Sequence, residues 1–264
     1  MRIYSKIKRF LIQIIEWLYR KKAQYLSQKS FNYVKKHFEE CEQLDLDAVL
    51  IDPVISHNEF VQQISYKDET WAYIKNLTEY RHQVQNGIYP EYCDSECHMA
   101  PKCNIEIDRI SVSTAPLNDN WLCFFLLDKN YDNYLFSFDI EIFTEFTEIQ
   151  FAFRYQDLCN RYRFMIRDNR EAVFECVYKG EFYHNICNIP FTLEKKRKHH
   201  VQIYVKDGHY QFLVNHVCLI SVKELAPLVS GTDMALILWN VDDTRPIKCN
   251  ITNISLGKII DDKN

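Results

Sequence analysis

Four residues with thiol or imidazole side chains fall within eleven positions: Cys93, Cys97, His98 and Cys103. Zinc takes four such soft ligands in a tetrahedron, and a short loop turned by Pro101 can supply them. The spacing matches neither a pair of C-x2-C knuckles nor C-x3-C-x2-C, because Cys103 comes too late. Four protein ligands would close the coordination sphere, so a zinc held here would be structural rather than catalytic. The same residues also read as reduced cysteines in a loop, or as a disulfide pair in a secreted chain.

A second constellation is electrostatic. Asp139 and Glu141 lie two residues apart and share one face of a strand, Arg154 occupies the polar face of the next, and Arg161 and Arg163 that of the one after. With those strands as neighbours, carboxylates and guanidinium groups line one surface. Carboxylates accept from sugar hydroxyls, arginine donates in a fork, and an aromatic ring stacks on the C–H face of a sugar. Tyr155, Tyr204 and Trp239 are the aromatic candidates. The expected ligand set for a glycan is therefore Asp139, Glu141, Arg154, Tyr155, Asp157, Arg163, Tyr204 and Trp239. The competing reading is a ladder of cross-strand ion pairs on a solvated face. No Ser-His-Asp or Cys-His arrangement is legible, so no catalytic residue is assigned. With only five glycines, there is no phosphate-cradling loop and no dinucleotide fingerprint. The run Lys195-Lys196-Arg197-Lys198-His199-His200 precedes a strand and reads as a solvated hairpin loop. No nucleic-acid-binding motif accompanies it, so nucleic acid is not an expected partner.

The elements that carry these groups follow from periodicity. Ile3, Ile7, Phe10, Leu11, Ile14 and Leu18 recur at three- and four-residue intervals, which predicts an amphipathic helix or two over residues 2 to about 40. Residues 41–90 are mixed, with short helices expected at 59–64 and 70–84 and a turn at Asn86-Gly87. Trp121 to Leu127 is a wholly apolar run, the mark of a buried strand. From Tyr134 apolar residues alternate with polar ones: Tyr134 to Ile142, Ile149 to Tyr155, Tyr162 to Ile166, Val201 to Val205 and Tyr210 to Val214. Asp207-Gly208 marks a hairpin between the last two. Leu236 to Trp239 and Ile251 to Leu256 close the series. The predicted organisation is an α-helical region over 1–90, a Cys/His-rich loop over 91–104 and a β-sandwich over 105–264.

The segment Phe151-Ala152-Phe153-Arg154-Tyr155-Gln156-Asp157, followed by Asn160-Arg161-Tyr162-Arg163-Phe164-Met165-Ile166, resembles the strand pair typical of concanavalin A-like domains. It is most similar to the laminin-G-like and 3-keto-disaccharide hydrolase-like branches. Val173 to Gly180, His200 to Asn215 and Ile251 to Gly257 would match the next strand, a hairpin and the closing strand. The resemblance covers residues 134–258. It implies a mainly β fold, an antiparallel jelly-roll β-sandwich that follows the N-terminal α-helical extension read from periodicity, and a carbohydrate- or ligand-binding module. Family 16 glucanases share that fold and set Glu-x-Asp-x-(x)-Glu on one strand. Here Glu106-Ile107-Asp108 runs into Arg109, Ile110 and Ser111, and Asp139-Ile140-Glu141 is preceded by Ser137, so the motif is absent. An enzyme of the hydrolase-like branch would use Asp139, Glu141 or Asp157 as acids. A non-enzymatic interaction protein is the other alternative.

The bulk properties set the location and partners. The 264 residues carry a net charge of −4, yet residues 1–40 hold ten Lys/Arg against three Glu, a charge of +7 that leaves −11 for the rest. A basic helical head of this kind suits a membrane surface or a partner protein, unless it docks on its own acidic body. Phe10 to Tyr19 is broken by Gln13 and Glu16 and lacks a small-residue cleavage site, so it does not read as a signal peptide. With ten cysteines and no such signal, the expected location is cytoplasmic, peripheral at the membrane if the head binds lipid.

Overall fold

A computed structural model describes residues 32–46, 132–157, 160–179, 181–229, 231, 233–240 and 245–260. It also describes parts of a helix between residues 14 and 29, and the strand backbones named below for other segments.

Seventeen strands follow one another among the described residues. They begin with β1 (Phe38–Glu40), β2 (Leu50–Pro53), β3 (Gln62–Tyr66), β4 (Glu69–Tyr73), β5 (Lys102–Ile105) and β6 (Arg109–Ser113). Next come β7 (Leu122–Leu126), β8 (Tyr134–Ile142), β9 (Glu148–Asp157), β10 (Asn160–Arg167), β11 (Glu171–Tyr178) and β12 (Glu181–Pro190). The last are β13 (Lys198–Lys206), β14 (His209–Val214), β15 (Val217–Glu224), β16 (Asp233–Trp239) and β17 (Lys248–Ile260). They form two sheets. The first runs β1-β15-β14-β13-β8-β17-β6-β5, with β2 also paired to β17; the second runs β12-β11-β10-β9-β16-β7-β4-β3. All the pairings are antiparallel. This is the mainly β jelly-roll sandwich that the alternation predicts.

The alternation decides which side chains meet between the sheets. In β8 the even positions Tyr134, Phe136, Phe138, Ile140 and Ile142 are all buried, while Leu135, Ser137 and Glu141 are half-buried on the outer face. From the second sheet Phe151, Phe153, Phe164 and Phe174 face them. Phe164 stacks on Phe212 at 5.3 Å, and Phe153 on Phe164 at 4.8 Å. A fully buried aromatic side chain removes about 150–250 Å² from water, so this aromatic layer is the main source of cohesion between the sheets.

The expectation for residues 59–64 and 70–84 is corrected. β3 and β4 occupy these segments in part and pair with each other at the edge of the second sheet. The segment expected to be helical through residue 90 thus contributes β1 to β4 to the sandwich. Edge pairing can recruit sequences with weak strand character, because ladder hydrogen bonds override local propensity. The described residues between 14 and 35 are helical, as expected. Val34 and Phe38 anchor the end of that helix: both are buried, and the Phe38 ring lies 5.1 Å from Phe174 and 5.3 Å from Tyr162.

Six strands not singled out from the sequence complete the sheets: β1, β2, β5, β6, β12 and β15. The outer face of the second sheet also departs from expectation, because Ala152, Arg163, Met165, Val173, Glu175 and Ile237 are buried there although they point away from the core.

Candidate functional site

The outer face of the first sheet gathers the polar groups that could engage a ligand. Register places His200 of β13 opposite Asp139 of β8, and Gln202 opposite Ser137. His200 Nδ1 donates to Asp139 Oδ1 at 2.7 Å, and Asn253 Nδ2 donates to Asp139 Oδ2 at 2.6 Å. Lys198 Nζ stands 3.9 Å from the same carboxylate. Glu141 lies on this face as well, opposite Lys198. With Nδ1–H held on Asp139, the neutral form of the His200 ring presents Nε2 as its acceptor.

The ring of His200 lies 5.0 Å from that of His216. His216 owes its position to a two-residue hairpin. Val214 pairs with Val217, and Asn215 and His216 both adopt left-handed backbone angles, φ 52° and 64°. Turns of that type ordinarily place glycine second, since a Cβ is unfavourable there. Asn215 fixes the hairpin tip to β13: its amide donates to the His200 carbonyl at 2.7 Å, and its Oδ1 accepts from the His200 amide at 2.9 Å. Asn253 is also left-handed, φ 53°, where β17 carries one extra residue between its pairings with Asp139 and Ser137. Such bulges re-aim a side chain, and they are over-represented beside functional sites.

A cavity of about 360 Å³ opens next to this cluster, lined by Gln43, Leu44, Asp45, Leu46, Gln202, Leu213 and His216. Residues 41–46 cross the sheet to form its rim. The Cys41 amide donates to the Ser221 carbonyl at 3.0 Å, and Ser221 Oγ donates to the Glu42 carbonyl at 3.1 Å. The lining thus offers a carboxylate, side-chain amides and one imidazole around a small apolar floor, an arrangement suited to several hydroxyls on a compact scaffold.

The groups expected to share one surface are divided by the sandwich. β8 and β9 are not neighbours: β8 pairs with β13 and β17, and β9 with β10 and β16. Asp139 and Glu141 therefore sit on the first sheet, and Arg154, Arg163 and Trp239 on the second. Tyr204, though on the outer side of β13, is 2% exposed, and Tyr155 is 4% exposed, so neither offers a ring for stacking. Trp239 is half-buried at the end of β16, opposite Glu148. Asp157 ends β9. Cys103 lies in β5, while Cys93, Cys97 and His98 fall outside the described residues.

Arg163 belongs to a ladder rather than a sugar site. It pairs with Glu175, which also takes Arg167; Glu148 lies 3.9 Å from both arginines, and Glu171 lies 3.3 Å from Arg167. Its centre, Arg163 and Glu175, is buried, while Glu148, Arg167 and Glu171 are half-buried. The Phe182 ring covers Arg163 at 5.3 Å. Burial pushes the Arg163 guanidinium below its ordinary range, and Glu175 opposes that shift.

Arg154 is diverted inward by a bulge. β9 carries one extra residue there against β16 and two against β10, and Arg154 has φ 48°. Its Nε donates to Tyr210 Oη at 3.0 Å, and Nη2 lies 3.6 Å from Glu224 Oε2. The hydroxyls of Tyr162 and Tyr210 both donate to Glu224, and the Leu228 amide donates to Glu224 Oε1 at 3.0 Å. Burial, then the Glu224 charge, raises both phenols above their ordinary range. Burial works against the charge of Arg154, but Tyr210 and Glu224 outweigh it and hold the guanidinium protonated. This network joins the two sheets and fixes the chain after β15.

His200, Gln202, His216 and Asn253 were not among the expected ligand residues. A signal for two of them was available: the β13 alternation sends His200 and Gln202 to the same side as Tyr204. Asn215-His216 occupies the turn position where Asn-Gly would be ordinary. The Asn253 bulge leaves no mark in a single sequence.

The chain matches no family model and no curated protein. Among solved structures it is similar to the carbohydrate-binding module CBM66 from Bacillus subtilis, at 12% identity over 60% of this chain and 92% of that one, TM-score 0.46. It is similar to a Bacillus subtilis protein of unknown function with a galectin-like fold, at 9% identity over 61% and 88%, TM-score 0.47. A third is the metal-free carbohydrate recognition domain of Emp46p, at 8% identity over 60% and 85%, TM-score 0.45.

Proposed function

We propose that the protein is a carbohydrate-binding β-sandwich module whose site lies on the outer face of the first sheet. The carrying observation is the Asp139–His200–His216 cluster with Asn253, built on two departures from regular strand geometry and set beside the cavity at Gln202. Asp139, His200 Nε2 and Asp45 would accept from sugar hydroxyls, Gln202 and Asn253 would donate, and Leu44 would meet a C–H face. Both oxygens of Asp139 already accept hydrogen bonds, which favours binding over the two-carboxylate chemistry of a hydrolase.

The deciding experiment is a glycan array followed by titration of the best ligand against His216→Gly and Gln202→Ala. Glycine suits the left-handed turn, so His216→Gly retains or raises the melting temperature while it removes the imidazole. The expected result is a loss of affinity of about tenfold or more in each variant. A folded His216→Gly protein that binds as well as the parent, or a parent with no array signal, would overturn the proposal.

A further inference from the structure

The N-terminal arm is an interaction surface in its own right. In the sequence, Ile3, Ile7, Phe10, Leu11, Ile14 and Leu18 form one apolar stripe on a helix, with Arg2, Lys6, Arg9, Gln13, Glu16 and Arg20 on the opposite face. The structure shows that the described part of this stripe does not dock on the sandwich. Ile14, Ile15, Trp17, Leu18, Tyr25 and Tyr33 are between 38% and 68% exposed. Lys21, Lys22 and Lys29 are exposed beside them. Among the described residues from 14 to 35, Val34 alone is buried. Among the described residues the helix is thus held at its root by Val34 and open at Ile14 and Leu18.

Charge selects the occupant. Residues 1–40 carry +7 and the remainder −11. A second copy of the chain would bring its own +7 against this arm, and the repulsion opposes pairing of the two helices. An anionic lipid surface attracts the arm and repels the body, so one end of the molecule is drawn down and the other is held off. No helix among the described residues is long and apolar enough to cross a bilayer. A helix with an apolar stripe, a basic opposite face and interfacial Trp and Tyr lies in the plane of the headgroups. We propose that the helix described between residues 14 and 35 lies on an anionic lipid bilayer surface, with Ile14, Trp17 and Leu18 in the boundary between headgroups and acyl chains and the lysines among the lipid phosphates.

The test is co-sedimentation of the full chain with vesicles of phosphatidylcholine alone and with about 30% phosphatidylserine. The chain is expected to bind the anionic vesicles and not the neutral ones, with affinity weakened about tenfold in ~0.5 M salt. Leu18→Glu and Trp17→Glu are expected to abolish binding. Because both side chains are exposed, neither substitution is expected to change the melting temperature, and Leu18→Lys separates loss of the apolar contact from loss of charge. The proposal is overturned by an absence of binding to anionic vesicles, by equal binding to both kinds, or by unchanged binding of Leu18→Glu. Sedimentation velocity gives the remaining outcome: a dimer that Leu18→Glu dissolves would assign the stripe to a second copy and refute the lipid surface.

Discussion

Removal of the Glu224 carboxylate is the most informative perturbation of the sandwich. Its side chain is 2% exposed, and it accepts from Tyr162, Tyr210 and the Leu228 amide while standing 3.6 Å from Arg154. In Glu224→Ala the two hydroxyls lose their acceptor. Arg154 is left with Tyr210 and with Asp132 at 4.0 Å, a carboxylate that is 82% exposed. Breaking a buried ion pair from one side costs about 3–5 kcal/mol. Arg154 keeps some contact with water, at 18% exposure, which puts the expectation near the lower end, about 3 kcal/mol. Glu224→Gln does not rescue the site. Its amide N–H would face hydroxyls whose oxygens already accept, from Arg154 at Tyr210 and from the Leu228 and Val229 amides at Tyr162. A loss of about 1.5–3 kcal/mol is expected for that variant. Urea unfolding followed by circular dichroism measures both as a shift in midpoint at constant slope. Two variants within about 0.5 kcal/mol of the parent would refute the view that this network joins the sheets.

Two further outcomes follow from the interior. Tyr162 and Tyr210 are held above the ordinary tyrosine range in the folded chain, by burial and then by Glu224. Below the unfolded value of about 10, both states keep the phenolic protons and the contribution is complete. As pH rises beyond that, the unfolded chain releases protons that the native chain retains, so stability falls by about 1.4 kcal/mol per pH unit for each phenol; a Tyr162→Phe variant with an unchanged alkaline slope in urea titrations would contradict this. Gly231 lies against the backbone of Tyr155 and Gln156, where an added Cβ would overlap the peptide. Gly231→Ala is expected to cost about 1–3 kcal/mol in thermal melts, and an unchanged melting temperature would count against the close approach.

The strands with a clean period of two were legible in the sequence, because each buries one face against the aromatic layer. β8, β10, β13 and β14 lie where the alternation of Tyr134, Tyr162, Val201 and Tyr210 places them. β3 and β4 were read as helices, since their short segments owe their strand form to pairing at a sheet edge. The site was legible only in part. Asp139 and Glu141 do share a face, but the assumption that β9 lies beside β8 fails, because a short link between two strands can equally carry the chain from one layer to the other. That crossing separates Arg154, Arg163 and Trp239 from Asp139. Arg154 shows a second limit: a bulge sends a side chain to the opposite face and leaves no trace in the periodicity.

β1 has a mechanical consequence. It is a three-residue edge strand, paired only to β15, with Phe38 directly opposite Glu224. The exposed arm ends just before it, and residues 43–46, which border the cavity, begin just after it. A pull on the arm away from the sheet would load the three-residue pairing as a zip, one hydrogen bond at a time, rather than as a shear across all of them. The strand would peel before the sheet deformed, and the cavity border would lift with it. Tension on the helix and the shape of the cavity at Gln202 would therefore be linked through β1 and its immediate flanks.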